Sequence, residues 1–355
     1  MLLHRLFRRF HPDSAMTESS HFLFTCLVGL GGGYLAHLLH LPAAWLSGAM
    51  VAVAMTALLA GPVHMPNRVR DAAFYLMGLT MGAGVQPEVV NRIHEWPVSM
   101  AGLIIVVVSI TTAGFLVLRF LAGWKSETAF FGAIPGTLSY VLALASERNA
   151  DLPRIAASQS LRLFVLVALL PLVLTNGMTG DLEGLNRIVQ GSFAELMLGA
   201  VLCFAASWVA VMLKIPGAWM TGAFFMSAFL NASGLMTLSL PGPMLIGCYV
   251  ILGAMIGCRF SEMSLGLFLN LIWGSLAAFA AGFAIAAAGA WCTASILDLP
   301  FGQVLLAYAP GGLEVMTLLA FIMELDPAFV AAHQLVRFIG MVLILPAATV
   351  LLFRK

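Results

Sequence analysis

Two arginines lie inside stretches of sequence that are otherwise apolar enough for a lipid bilayer. Each follows a glutamine by three positions, and the pairs are Gln159 with Arg162 and Gln334 with Arg337. Because residues three apart share a helix face, each glutamine would stand beside its arginine. A charged side chain inside a membrane helix is costly and marks a functional site by default, here for an anion. A buried ion pair, for example with Glu314, is the structural alternative, and it could coexist with transport.

A Pro-Gly dipeptide interrupts the apolar segment that precedes each of these pairs. The two stretches read AIPGTLSYV, from Ala133, and YAPGGLEVM, from Tyr308. Proline removes a backbone N–H and glycine permits a tight reversal, so both would break a helix. Broken helices at equivalent places in two halves of a membrane protein indicate a binding site, and the following helices would direct their N-terminal amides towards an anion. Proline kinks that only shape helix packing are the structural alternative.

The chain is two copies of one unit. The block LPAAWLSGA at residues 41–49 returns as IPGAWMTGA at residues 215–223. Rare residue types then keep a constant spacing between the copies: Gly78 with Gly253, Gly82 with Gly257, Pro135 and Gly136 with Pro310 and Gly311, Asp151 with Asp326, Gln159 with Gln334, Arg162 with Arg337, and Pro171 with Pro346. We therefore predict a basic cytoplasmic tail at residues 1–21, a first membrane repeat at 22–175, a polar linker at 176–193 and a second membrane repeat at 194–353.

Composition places both repeats in a membrane. Hydrophobic residues make up 61% of the 355 residues and charged residues only 9%, whereas a soluble domain carries about 25% charged residues to wet its surface. The net charge of +1 argues against a nucleic-acid partner, which would need a clustered basic face. The chain is therefore predicted to be an all-α polytopic membrane protein whose partners are the lipid bilayer and a small-molecule solute. A homo-oligomer is compatible with this organisation.

The segment that carries Pro-Gly decides the topology. If it crosses the membrane, each repeat has six crossings and the repeats are parallel; if it enters and leaves on one side, each has five and they are inverted. Lys and Arg accumulate on the cytoplasmic side. With the N-terminus inside, the second arrangement loses Arg187 from that side but gains Arg148, Arg154, Lys214 and Arg259. We therefore predict inverted-topology repeats, each with five transmembrane helices and one Pro-Gly re-entrant helical hairpin, and cytoplasmic termini.

We predict that the two breaks and the two Gln–Arg pairs meet near the midplane and bind the solute. The predicted substrate-binding residues are Pro135, Gly136, Thr137, Ser139, Gln159, Arg162, Pro310, Gly311, Gly312, Glu314, Gln334 and Arg337. Glu314 and His333 have serines as their counterparts in the first repeat, Ser139 and Ser158. An acid and an imidazole in an otherwise symmetric site suggest the hypothesis that they carry a coupling proton; a structural polar pair is the alternative.

Other polar and aromatic residues have ordinary explanations. Trp45 and Trp219, each near the start of an apolar segment, are expected to anchor helices at the membrane interface, and a role as binding-site aromatics is the alternative. Asp71 is expected to stabilise the start of a helix. The five cysteines show no ligand spacing and the eight histidines are dispersed, so we predict no metal site, no cofactor and no enzymatic activity.

The duplicated PAAWLSGA and PGAWMTGA blocks, with Pro-Gly segments followed by Gln-x-x-Arg, resemble the duplicated AbrB-type bacterial membrane protein family. The resemblance covers residues 22–353. It implies a transporter-like, multi-pass protein of the bacterial inner membrane. Members are commonly labelled ammonia monooxygenase or AbrB-family regulator. Dispersed histidines argue against a copper monooxygenase, and no stretch outside the apolar segments is long enough for a soluble DNA-binding module.

Two functions of different class are compatible with these features. The first is a secondary transporter that moves a small organic anion by alternating access, because interrupted helices at membrane depth serve a binding site better than an anchor. The second is a membrane receptor or accessory, regulatory subunit that binds a ligand or partner without moving it. The sequence contains no Walker motif, which argues against ATP-driven transport by this chain alone.

Overall fold

The computed structural model of the chain is helical throughout the part that it describes. The described residues are 18–60, 63–83, 85, 96–174, 193–236, 238, 240–261 and 263–352. Most of the predicted tail, before residue 18, and nearly all of the predicted linker, 176–192, lie outside these residues.

Fourteen helices follow one another along the described residues, seven in each predicted repeat. Those of the first repeat are α1 (Glu18–Leu38), α2 (Ala44–Ala60), α3 (Asn67–Ala83), α4 (Trp96–Leu116, continued by a π-helical turn at Val117–Leu121), α5 (Ser126–Ala133), α6 (Leu138–Ser146) and α7 (Leu152–Leu174). Those of the second are α8 (Phe193–Met212), α9 (Ala218–Ala232), α10 (Gly242–Cys258), α11 (Leu265–Leu297), α12 (Phe301–Tyr308), α13 (Leu313–Ile322) and α14 (Pro327–Leu352). Each helix of the first repeat has its counterpart seven helices later.

Five of these helices are long and apolar enough to cross a membrane, namely α1, α4 with its π-helical turn, α7, α11 and α14. Large apolar side chains such as Leu27, Ile105 and Trp273 are exposed on their surfaces. A soluble protein rarely exposes so much apolar surface. The architecture is therefore compatible with a polytopic membrane protein, in which lipid would cover these faces.

Helices of the two repeats pack against each other in reciprocal pairs. α3 packs on α9, and α10 packs on α2. A Cβ atom on Gly78 would collide with the backbone oxygen of Met220, and one on Gly253 with the backbone oxygen of Leu46. The same contacts recur one turn later. A Cβ atom on Gly82 would collide with the backbone oxygen of Phe224, and one on Gly257 with the backbone oxygen of Met50. Each contact thus maps onto the other when the repeats are exchanged, and glycine is required because backbone touches backbone.

The two short helices on either side of each Pro-Gly break have their outer ends in contact. In the first repeat, the backbone N–H of Asp151, beyond α6, donates to Thr128 Oγ1, at the start of α5, at 3.0 Å. In the second, a Cβ on Gly302, at the start of α12, would lie 3.3 Å from Leu325 Cδ1, beyond α13. An uninterrupted helix would separate such ends by about 35 Å. The chain therefore doubles back at both breaks.

Replacing Gly253 with alanine should destabilise the protein, because the new methyl group would force α10 away from α2. We expect Gly253→Ala to lower the free energy of unfolding by about 1–3 kcal/mol, the usual cost of overpacking. Gly247→Ala is the matched control, since it lies on the same helix and its Cβ would meet nothing within 4 Å. Thermal unfolding in detergent measures both; equal stability of the two variants would contradict the close contact.

Candidate functional site

A cavity of about 400 Å³ lies where the two Pro-Gly breaks meet. Its wall comes from both breaks with the starts of α6 and α13, and from α3, α7, α9 and α10. Nine of the twelve predicted substrate-binding residues line it: Gly136, Thr137, Ser139, Gln159, Arg162, Pro310, Gly311, Gly312 and Glu314. The structure therefore brings the two breaks and one Gln–Arg pair together around one cavity.

Pro135, Gln334 and Arg337 do not line this cavity, although the prediction placed them there. Gln334 is 1% exposed and Arg337 is 7% exposed, so both are enclosed by protein. Their first-repeat counterparts Gln159 and Arg162 do line it. The two Gln–Arg pairs, equivalent in sequence, thus occupy different environments.

Both Gln–Arg pairs hold the end of the short helix that precedes a break. Gln159 Nε2 donates to the Phe131 carbonyl at 3.1 Å, and Arg162 Nη1 donates to the Ile134 carbonyl at 3.2 Å. The last carbonyls of a helix have no partner within that helix, and a nearby cation also favours the negative end of its dipole. The first pair therefore completes the C-terminus of α5 while still facing the cavity.

The second pair repeats this arrangement on α12 with more bonds. Gln334 Nε2 donates to the carbonyls of Leu306 at 3.0 Å and Ala307 at 3.1 Å. Arg337 donates to the Ala309 carbonyl at 2.7 Å through Nη1 and to the Gly311 carbonyl through Nη2. Among the described residues neither arginine forms an ion pair with Glu314. The ion-pair alternative raised by the sequence is therefore wrong for this structure, and backbone carbonyls are the partners instead.

The cavity carries more positive than negative charge. Arg70 and Asp71 on α3 form an ion pair at 2.7 Å and offset each other. The remaining charged side chains on the wall are Arg162, Arg259 and Glu314. Arg259, just beyond α10, lies near enough to Glu314 for their charges to interact. One positive charge is left over, which favours an anionic ligand.

Three helix N-termini also reach this space. α6, α9 and α13 begin after Thr137, Gly217 and Gly312, which all line the cavity, and no side chain caps any of the three. The first amides of a helix lack partners within it, and the dipole makes that end partly positive. Free amides at three such ends are suited to carboxylate or phosphate oxygens.

Glu314 packs against the start of α9. A Cβ atom on Gly217 would lie 2.7 Å from its Cγ and 2.9 Å from its Oε1. Gly217 also has a φ of 61° in the left-handed region. Its counterpart Ala43 has a φ of 52°, so this backbone conformation alone does not demand glycine. A side chain at position 217 would therefore have to displace the Glu314 carboxylate.

His333 lies in a separate buried cluster. Its Nε2 is 2.7 Å from Ser99 Oγ and its Nδ1 is 2.8 Å from the Phe329 carbonyl oxygen. Both ring nitrogens therefore have protein partners, and the side chain does not line the cavity. The structure does not bring His333 and Glu314 to one site, and a coupling proton on either stays a prediction. Among the described residues, no three His, Cys, Asp or Glu side chains cluster as metal ligands would.

Eleven residues of this wall were not among the predicted site residues, and those that bear on its charge or shape are Arg70, Asp71, Gly217, Trp219 and Arg259. Trp219 was expected at the membrane interface and Asp71 as a helix-start residue. Arg259 was counted only as a cytoplasmic loop charge. One signal was present in the sequence, since the otherwise similar PAAW and PGAW blocks differ where Ala43 is replaced by Gly217.

Comparison with known proteins identifies the family of the chain. The sequence model of the family described as "Transition state regulatory protein AbrB" matches residues 45–353, which include most of the first repeat and all of the second. The chain belongs to the AbrB family. Within this family, it is 28% identical over 320 residues to a protein of Escherichia coli strain K12 named "Putative regulator AbrB", covering 89% of this chain and 91% of that protein. It is 22% identical over 356 residues to "Uncharacterized protein YhjN" of Bacillus subtilis strain 168, covering 91% of each.

The matched region of this AbrB-family chain contains every residue that lines the cavity. The resemblance inferred from the duplicated blocks is thereby confirmed. The names of the two relatives describe a regulator and a protein without an assigned role, so the chemistry of the cavity is the main guide to function.

Removing the side-chain amide of Gln334, which binds carbonyls at the end of α12, should destabilise this AbrB-family protein. Gln334→Leu leaves the buried carbonyls of Leu306 and Ala307 without that donor, and we expect it to lower the free energy of unfolding by about 1–3 kcal/mol. Gln303→Leu is the control, because Gln303 is buried on α12 and its side chain makes no hydrogen bond among the described residues. Thermal unfolding in detergent measures both. An equal effect of the two changes would show that the amide contributes nothing.

Proposed function

We propose that the chain is a secondary transporter that moves a small organic anion across the bacterial inner membrane by alternating access. The observation that carries this proposal is the cavity formed where both Pro-Gly breaks meet, with an excess positive charge and three uncapped helix N-termini. Non-helical backbone at membrane depth is tolerated where it lines such a cavity. Transporters built from inverted repeats bind their substrates at broken helices near the midplane.

In the proposed topology both termini are cytoplasmic, the repeats are inverted and each broken segment is a re-entrant hairpin. The contacts between Thr128 and Asp151 and between Gly302 and Leu325 support it, because they bring the two ends of each segment together. The first hairpin would enter from the cytoplasm and the second from the outside. The starts of α3 and α9 and the end of α10 would then be cytoplasmic, so the cavity would face inwards.

Labelling of introduced cysteines tests this topology. In a variant whose five native cysteines are replaced, we expect Lys125→Cys and Glu147→Cys, at the two ends of the first hairpin, to react with a membrane-impermeant thiol reagent only in inverted vesicles. Pro300→Cys and Glu324→Cys, at the ends of the second, should react only in intact spheroplasts. All four positions are exposed. Reaction of the two ends of one segment from opposite faces would show that it crosses the membrane.

Uptake into proteoliposomes tests transport itself. We expect the purified chain to catalyse uptake of labelled small carboxylates under an imposed proton or sodium gradient. Arg259→Gln should reduce this uptake about tenfold, because hydrogen bonds to charged groups contribute more than neutral ones. Arg154→Gln is the control, since Arg154 is exposed and pairs with Asp151 outside the cavity. Equal uptake by the two variants would place the substrate elsewhere.

The names found by comparison favour a second candidate, a membrane receptor or regulatory subunit. The family description and the name of the E. coli protein both refer to regulation. The same cavity would then bind its ligand without releasing it on the other side. Saturable binding of a carboxylate by the detergent-solubilised chain, together with no flux in proteoliposomes, would favour this candidate over the transporter.

A further inference from the structure

Five buried side-chain polar atoms have no hydrogen-bond partner among the described residues. Three of them are Gln334 Oε1, Arg337 Nε and Trp45 Nε1, and the other two are His21 Nε2 and Ser275 Oγ. A buried polar group without a partner costs about 1–3 kcal/mol, so native proteins contain few of them. Three such atoms on related side chains call for an explanation.

These three residues share one property: each is the repeat counterpart of a residue that lines the cavity. Gln334 corresponds to Gln159, Arg337 to Arg162 and Trp45 to Trp219 in the aligned copies. The first-repeat pair and Trp219 line the cavity, whereas Gln334 and Arg337 are buried. Trp45 is only partly buried, but its indole N–H is enclosed by protein. If the two repeats exchanged conformations, the cavity would be lined by Gln334, Arg337 and Trp45. The three unsatisfied atoms would then face it.

The tips of both breaks line the cavity, whereas only one of the two Gln–Arg pairs does. Residues from both tips, Gly136 with Thr137 and Gly311 with Gly312, line the cavity in the present conformation. An exchange of the repeats would therefore keep the tips at the centre. It would replace the wall of α7 and α9 by the wall of α14 and α2.

We propose that Gln334, Arg337 and Trp45 form a second anion-binding wall, closed in this structure, that opens towards the opposite face of the membrane in an alternative conformation. This inference rests on the proposed transport function and extends it. The wall offers the same chemistry as the open one, a guanidinium, a carboxamide and an indole N–H, so it takes the same carboxylate-like group. Opening would give the three unsatisfied atoms water or ligand as partners.

The reciprocal contacts between the repeats make such an exchange structurally feasible. α3 against α9 and α10 against α2 use the same glycine-based contacts with the repeats exchanged. A rearrangement that swaps the two environments therefore reuses packing that the sequence already supports. Closely similar packing in two states keeps their free energies close, as alternating access requires.

Cysteine labelling from each side of the membrane tests the closed wall. In a variant with the native cysteines replaced, Gln334→Cys should react with an impermeant maleimide added outside, although the side chain is 1% exposed here. Gln159→Cys should react from the cytoplasmic side. Ile339→Cys, on the exposed apolar face of α14, is the control and should react from neither side.

A second experiment measures whether holding the inner cavity open keeps the second wall closed. A bulky maleimide attached at Trp219→Cys should hold the inner cavity open and reduce outside labelling at Trp45→Cys about tenfold, because one state then dominates. The Trp45 side chain makes no hydrogen bond among the described residues, so Trp45→Cys removes none. This pair of variants therefore tests the second wall even if Gln334→Cys does not fold.

Protection of Gln334→Cys from both sides, or its reaction from the same side as Gln159→Cys, would overturn the second wall. Trp45→Cys labelling that ignores modification at Trp219→Cys would overturn it as well. Uptake of carboxylates by the same proteoliposomes is scored separately. Flux without reciprocal labelling leaves transport standing without this wall, and reciprocal labelling without flux leaves the wall standing without transport.

Discussion

Each Pro-Gly break leaves backbone carbonyls at a helix end without a partner, and a glutamine with an arginine from the next long helix binds them. The first pair completes α5 and the second completes α12. The turn amides of Gly136 and Gly311 also bind the Ile134 and Ala309 carbonyls. Without the glutamines, however, the carbonyls of Phe131, Leu306 and Ala307 would lose their donor at considerable cost. The breaks can therefore exist where they do only because α7 and α14 carry polar side chains at one face. The cavity, its helix N-termini and the position of Glu314 all depend on this arrangement.

The two repeats share a scaffold but differ in the side chains that reach the ligand space. Helix packing between the copies is reciprocal and relies on glycine in both. At the cavity, Glu314 faces Gly217, whereas the corresponding residues of the first repeat are Ser139 and Ala43. Both partners of this contact thus differ between the copies. An acid on one break alone therefore gives the two sides of the cavity different electrostatics.

Part of this organisation could be predicted from the sequence. The duplication, the two breaks and the Gln-x-x-Arg spacing are local patterns, and they led to nine residues that line the cavity. The partners of the glutamines and arginines could not be predicted, because carbonyls 25 to 28 residues away become neighbours only after the chain doubles back. Arg70 and Arg259 were missed for a similar reason. They come from helix ends that are far apart in sequence, and nothing in their own surroundings distinguishes them from ordinary loop charges.

The reciprocal glycine contacts also affect how the chain is made. α3 emerges from the ribosome long before α9, its packing partner, and α2 long before α10. During synthesis the glycine faces of the first repeat therefore lack the helices of the second repeat that cover them in the complete chain. The first repeat has no complete set of partners until the second is inserted. Biogenesis of this chain must keep a half-finished membrane domain from pairing with itself or with another copy.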